Sequence, residues 1–132
     1  MRDLIIEPTN KTPGVDLSNG VLLFYGRSMI DQARDFYEPI YAWVCEYLEN
    51  PSEITAVTLK LEYIDASSVK SILNLLKLLK GVEAREMVFM VNWYYMYGDL
   101  EMLQLGSILQ ERLEMEFDLN EFEPQNSRLL KS

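Results

Sequence analysis

Apolar residues change their spacing several times along this chain, and each change marks an element. Leu4-Ile5-Ile6 reads as a short strand stopped by Pro8. Thr9 to Gly20 holds Asn10, Pro13, Gly14 and Asn19, so it reads as loop or irregular ribbon. Val21 to Tyr25 is a second strand, ended by Gly26 and close enough to the first to pair with it antiparallel. Ala33, Phe36, Tyr37, Ile40, Val44 and Leu48 then fall on one helical stripe. Ser28 or Asp31 is placed to cap that helix, and Pro39 should kink it or displace its start. From Ile54 to Ile64 the pattern returns to alternation, with Val57, Leu59, Leu61 and Tyr63 inward and Thr58, Lys60 and Glu62 outward. Ser67 to Lys80 is the clearest helix, with Val69, Ile72, Leu73, Leu76 and Leu79 on one stripe and Gly81 as its end signal. Met87 to Tyr95 is almost unbroken apolar and aromatic sequence, as in an interior strand. A third helix runs from Asp99 to about Met115, and Phe117-Asp118-Leu119 is a candidate last strand.

Short joins between alternating strands and helices favour right-handed crossovers and mainly parallel pairing. The expected fold is therefore α/β, a single mixed sheet of about five strands flanked by helices. Residues 1–124 form one domain on this reading, with 125–132 as a flexible tail.

Composition narrows the function. With 132 residues and 48% hydrophobic content the chain can bury a proper core. Twelve basic against 21 acidic residues leave a formal charge of −9, which disfavours nucleic acid and anionic membranes as partners. The chain has no histidine, so the usual general base, zinc ligand and Ser-His or Cys-His nucleophile arrangements are missing. No catalytic set, metal site or cofactor motif is expected. Cys45, the one cysteine, follows Trp43 and Val44 and reads as a buried free thiol. Neither a signal peptide nor a membrane span is evident at the level of pattern, which fits a cytoplasmic protein.

Candidate chemistry concentrates in Leu61-Glu62-Tyr63-Ile64-Asp65-Ala66-Ser67-Ser68-Val69-Lys70, where a strand gives way directly to a helix. Asp65, Ser67 and Ser68 are ordinary helix caps. The alternative is phosphorylation: a phosphoryl group adds about −1.5 to −2 charges, which a helix N-terminus favours and an acidic partner would not. Glu62 and Asp65 differ in strand phase and lack a neighbouring base, so they make a poor acid–base pair. Gly26-Arg27-Ser28 lacks the lysine and glycines of a phosphate loop, although Arg27 could meet a phosphate or a partner carboxylate. Trp93-Tyr94-Tyr95 with Tyr97 is either core or, where tyrosines stay exposed, interface.

Several of these pieces run in order over most of the chain: Gly26-Arg27-Ser28, Phe36-Tyr37 with Pro39 and Trp43, Leu61-Glu62-Tyr63 with Ser67-Ser68 and Lys70, Trp93-Tyr94-Tyr95, and Asp99 with Met102. Together they resemble the SiaC family of bacterial regulatory phosphoproteins, similar in fold to STAS-domain anti-sigma-factor antagonists. The resemblance implies a non-enzymatic switch, phosphorylated by a protein kinase and restored by a protein phosphatase. Its unphosphorylated form would bind and activate a diguanylate cyclase, promoting cyclic-di-GMP synthesis and biofilm formation. It also implies a partner surface around Arg27, Tyr63, Asp65, Ser67, Lys70 and Tyr95. In the family the turn usually reads Asn-Thr-Ser-Ser with threonine as acceptor, whereas here Asp65-Ala66-Ser67-Ser68 puts a methyl group at that position. The acceptor has then moved, with Ser67 preferred and Ser68 beside it, or phosphocontrol has been lost or deliberately blocked. Readings without phosphocontrol, a small-ligand-binding or an oligomerising domain, are the alternatives.

Overall fold

A computed structural model describes residues 2–123, so the expected 125–132 tail lies outside the described residues. Six strands form one sheet in the order β1-β2-β3-β4-β5-β6. These are β1 (Leu4–Ile6), β2 (Gly14–Ser18), β3 (Val21–Ser28), β4 (Ile54–Ile64), β5 (Val88–Met96) and β6 (Asp118–Phe122). β1, β2 and β3 form an antiparallel meander, and β3 through β6 are parallel. The helices α1 (Ala33–Tyr47), α2 (Ala66–Lys80) and α3 (Leu100–Leu113) are the three crossovers, and Gly81–Arg85 adds a 3-10 turn after α2. Sequential parallel strands joined by right-handed crossovers place every helix on the same face.

Register shows this directly. Leu22 pairs with Val57 and Val57 with Val91, while Phe24 pairs with Leu59 and Leu59 with Trp93. All of these are buried in one cluster with Ile40 and Val44 of α1, Ile72 and Leu76 of α2, and Leu109 of α3. The intervening residues form an uncovered face, where Val21, Ile54, Val88 and Met90 are exposed and Lys60 Nζ lies 5.4 Å and 5.0 Å from the Tyr94 and Phe122 ring centres.

Four expectations change. β2 lies inside the stretch read as loop, and β1 pairs with β2 rather than with β3. Gly14 looked like a loop residue; it is a strand residue without a side chain because the Tyr25 ring lies across it, where a Cβ would collide. β3 does not stop at Gly26 but continues to Ser28, with Gly26 at φ +92° and a register shift before Arg27. Cys45 is exposed, on the outer side of α1, while Trp43, Val44 and Tyr47 face inward.

Candidate functional site

The register shift at Gly26 sets the geometry where β3 and β4 end. Before it Gly26 pairs with Leu61; after it Arg27 pairs with Tyr63 and Ser28 with Ile64, so Glu62 is an extra residue on β4. One added residue moves the following side chains to the opposite face. Tyr63, expected inward by alternation with Leu59 and Leu61, is instead 45% exposed beside the exposed Arg27. Ser28 keeps the helix side and is fully buried.

Asp65 follows as the N-cap of α2, its Oδ1 accepting from the Ser68 backbone N–H at 2.8 Å. Its own N–H donates to the Ser28 carbonyl at 2.9 Å, tying the cap to the end of β3. The cap satisfies one of the N–H groups that a helix start leaves without an internal partner.

The first turn of α2 then presents three different environments. Ala66 is exposed, Ser67 is half-buried and Ser68 is buried. Of the two candidate acceptors, Ser67 therefore keeps some exposure and Ser68 keeps none. Helix geometry turns the third residue of the turn inward, where the Ser28 hydroxyl donates to Ser68 Oγ at 2.7 Å. Ser28 Oγ also lies 2.8 Å from the Tyr37 hydroxyl, which completes a buried line of three hydroxyls. Sealed in this way, Ser68 is out of reach of a kinase in the folded chain.

Ser67 has a different partner. Its Oγ accepts from the backbone N–H of Ala33, the first residue of α1, at 3.3 Å. Gln32, the residue in the N-cap position of α1, makes no side-chain cap bond, so α1 takes a cap from α2. The two helix N-termini converge on one hydroxyl, and their partial positive charges add there.

Burial dominates the electrostatics of the hydroxyl line. It pushes the Tyr37 pKa up from 10.0 to about 12, with the Asp65 charge acting in the same direction and the Ser28 and Ser68 hydrogen bonds opposing it. The cluster is therefore neutral at physiological pH and acts as a fixed polar floor beneath the turn.

Of the remaining residues expected at a partner surface, Lys70 is exposed on α2, near the turn. Tyr95 stands apart. It shares the strand phase of the buried Trp93, so it lies on the helix-covered face, half-buried against the core, whereas Arg27 and Tyr63 lie on the open face. The aromatic run thus divides: Trp93 is core, Tyr94 packs edge-on against Phe122 on the open face, and Tyr97 is 71% exposed. Sequence reading missed the roles of Ser28 and Tyr37. A tyrosine within an otherwise apolar helical stripe was the available signal, because a buried phenol needs a hydrogen-bond partner.

Among the described residues no group of His, Cys, Asp or Glu could hold a metal ion, and no helix is long and apolar enough to cross a membrane.

Residues 6–122 match the sequence profile described as SiaC family regulatory phosphoprotein. An uncharacterized protein of Pseudomonas aeruginosa (strain UCBPP-PA14) is 24% identical over 119 residues, spanning 89% of this chain and 94% of the relative. Among solved structures, SiaC of Pseudomonas aeruginosa aligns with TM-score 0.82 at 23% identity, over 92% of this chain and 100% of that one. SiaC in the crystal structure of the diguanylate cyclase SiaD in complex with its activator SiaC aligns with TM-score 0.80 at 22% identity, over 91% of this chain and 100% of that one. At that identity the structural likeness speaks for the fold.

Proposed function

The chain belongs to the SiaC family of regulatory phosphoproteins, and from that premise we propose that it is a non-enzymatic cytoplasmic adaptor that binds and activates a diguanylate cyclase. The docking surface is the Asp65–Lys70 turn with Arg27 and Tyr63 beside it, and Tyr95 contributes from the other face of the sheet. A protein kinase and a protein phosphatase set the state of the turn through Ser67. This reading is supported above all by the position of Ser67, whose half-buried hydroxyl joins the starts of α1 and α2 through Ala33.

The physical switch follows from that position. A phosphoryl group on Ser67 brings about −1.5 to −2 charges to a point where two helix N-termini favour negative charge. Its oxygens take over the Ala33 N–H, so the fold tolerates the modification. A partner carboxylate docked on the same turn meets strong repulsion, and binding is lost without refolding.

A second reading has its own observation. Ala66, the exposed residue of the turn, occupies the position where the family carries its acceptor threonine, and it has no hydroxyl. On that reading the adaptor stays permanently in its binding form.

Incubation with the cognate kinase and ATP, followed by peptide mass mapping, separates the two. Phosphate on Ser67 supports the switch; no phosphate anywhere from Tyr63 to Ser71 leaves only the permanent adaptor. The adaptor itself is tested by cyclic-di-GMP production with the purified cyclase from the same cell. Unchanged output when the protein is added removes the cyclase as its target.

A further inference from the structure

α2 carries the opposite charge to the chain around it. The whole protein has a formal charge of −9, yet α2 contains Lys70, Lys77 and Lys80 and no carboxylate. Lys80 pairs with Glu83 at 3.0 Å. Among the described residues, neither Lys70, Lys77 nor Arg34 of α1 has a carboxylate within ion-pair distance.

Beside this basic helix runs an open groove of about 740 Å³ between α1 and α2. One rim carries Arg34, Glu38 and Tyr41, and the other carries Ser71, Asn74 and Lys77. Each rim follows the spacing of one helix face over two turns. The floor is the buried Tyr37 and Leu75. Tyr37 is thus the wall between the groove and the hydroxyl line, since its own hydroxyl turns inward to Ser28. The head of the groove is the Ala33–Ser67 hydrogen bond, one residue before Arg34.

We propose that this groove seats an acidic amphipathic helix of a partner protein. Two neighbouring helices present parallel ridges into which a third can lay an apolar face, anchored at i, i+3 or i+4, and i+7. Among the described residues Arg34 and Lys77 stand across from each other without a carboxylate in reach, so carboxylates on the incoming helix pair with both, while a basic helix finds only Glu38 on the rim. In a chain this acidic, the local reversal of sign selects the partner.

The proposal rests on the adaptor reading and gives it a regulatory consequence. A phosphoryl group on Ser67 sits at the groove head and repels the same acidic helix.

Two helical peptides with identical leucine spacing, one flanked by glutamates and the other by lysines, provide the test. The glutamate peptide should shift amide resonances of residues 34–41 and 71–78, and the lysine peptide should bind about ten-fold more weakly or worse. Arg34→Glu with Lys77→Glu, both at exposed positions, should reverse that order. Equal binding of the two peptides, or shifts confined to the open sheet face around Val88 and Met90, would overturn the proposal. Ser67→Glu separates the layers. If the glutamate peptide still binds this variant at full strength, the groove stands and its control by Ser67 falls. If the double charge reversal leaves cyclase activation intact and the peptide leaves the groove unshifted, the groove falls and the adaptor stands.

Discussion

The starts of α2 and α3 use one capping device in two chemical settings. Asp65 accepts from the Ser68 N–H at 2.8 Å, and Asp99 accepts from the Met102 N–H at 3.1 Å. In both helices the residue three positions after the cap is buried. In α2 it brings a hydroxyl to Ser28 and Tyr37. In α3 it is a methionine in the apolar cluster, whose carbonyl accepts from Trp93 Nε1 at 3.0 Å. The surfaces diverge as well, because α3 carries Glu101 in its first turn whereas α2 has no acidic residue. A helix cap by itself therefore marks no site. What distinguishes α2 is the combination of a polar floor, a shared hydroxyl and a reversed charge.

The comparison is sharpest at Trp93. Trp93→Ala should cost about 3–5 kcal/mol, read from urea midpoints, because it removes a fully buried ring from the α3 side. Under conditions where the variant stays folded, peptide docking on α2 should be unchanged; a loss of docking would show that the two regions are coupled.

Tyr37 probes the α2 side through pH. Its folded pKa is raised, so its contribution is complete below pH 10.0 and fades as pH rises toward about 12. The full difference is worth about 3 kcal/mol. Urea midpoints measured across that interval should fall, and Tyr37→Phe should flatten the decline. A decline of equal size in Tyr37→Phe would assign it to other groups.

Gly106→Ala returns to α3. An added Cβ there meets Trp93 Nε1 at 2.6 Å, so a loss of about 1–3 kcal/mol is expected in thermal or chemical melts. An unchanged midpoint would mean that the helix shifts freely away from the indole.

The smallest stability effects come from the caps themselves. Asp65→Ala and Asp99→Ala should each cost about 1 kcal/mol. Cyclase activation should drop in the first and persist in the second. Equal losses of activity would erase the functional distinction between the two helix starts.

Much of this arrangement was legible in the chain. Alternation located β4, continuous apolar runs located β3 and β5, helical spacing located α1, α2 and α3, and the Asp65–Lys70 turn stood out as strand running directly into helix. Tyr63 was misplaced because alternation assumes an unbroken ladder, and one extra residue at Glu62 reverses it. β2 was hidden because Gly14 gives a loop signal unless the Tyr25 ring above it is known. Ser67 was preferred over Ser68 by resemblance alone, because adjacent serines have the same local propensities. Their partners, Ala33 and Ser28, lie 34 and 40 residues away.

By itself, the sequence determined the alternation of elements, the Asp65 cap, the basic character of α2 and the absence of histidine chemistry. These are properties of neighbours along the chain, where side-chain spacing and backbone preference act over a few residues. Only the tertiary structure decided which serine is sealed, that α1 borrows its cap from α2, and that Tyr63 faces outward. Those outcomes depend on strand register and on contacts between distant segments. A single residue of register changes which atoms meet.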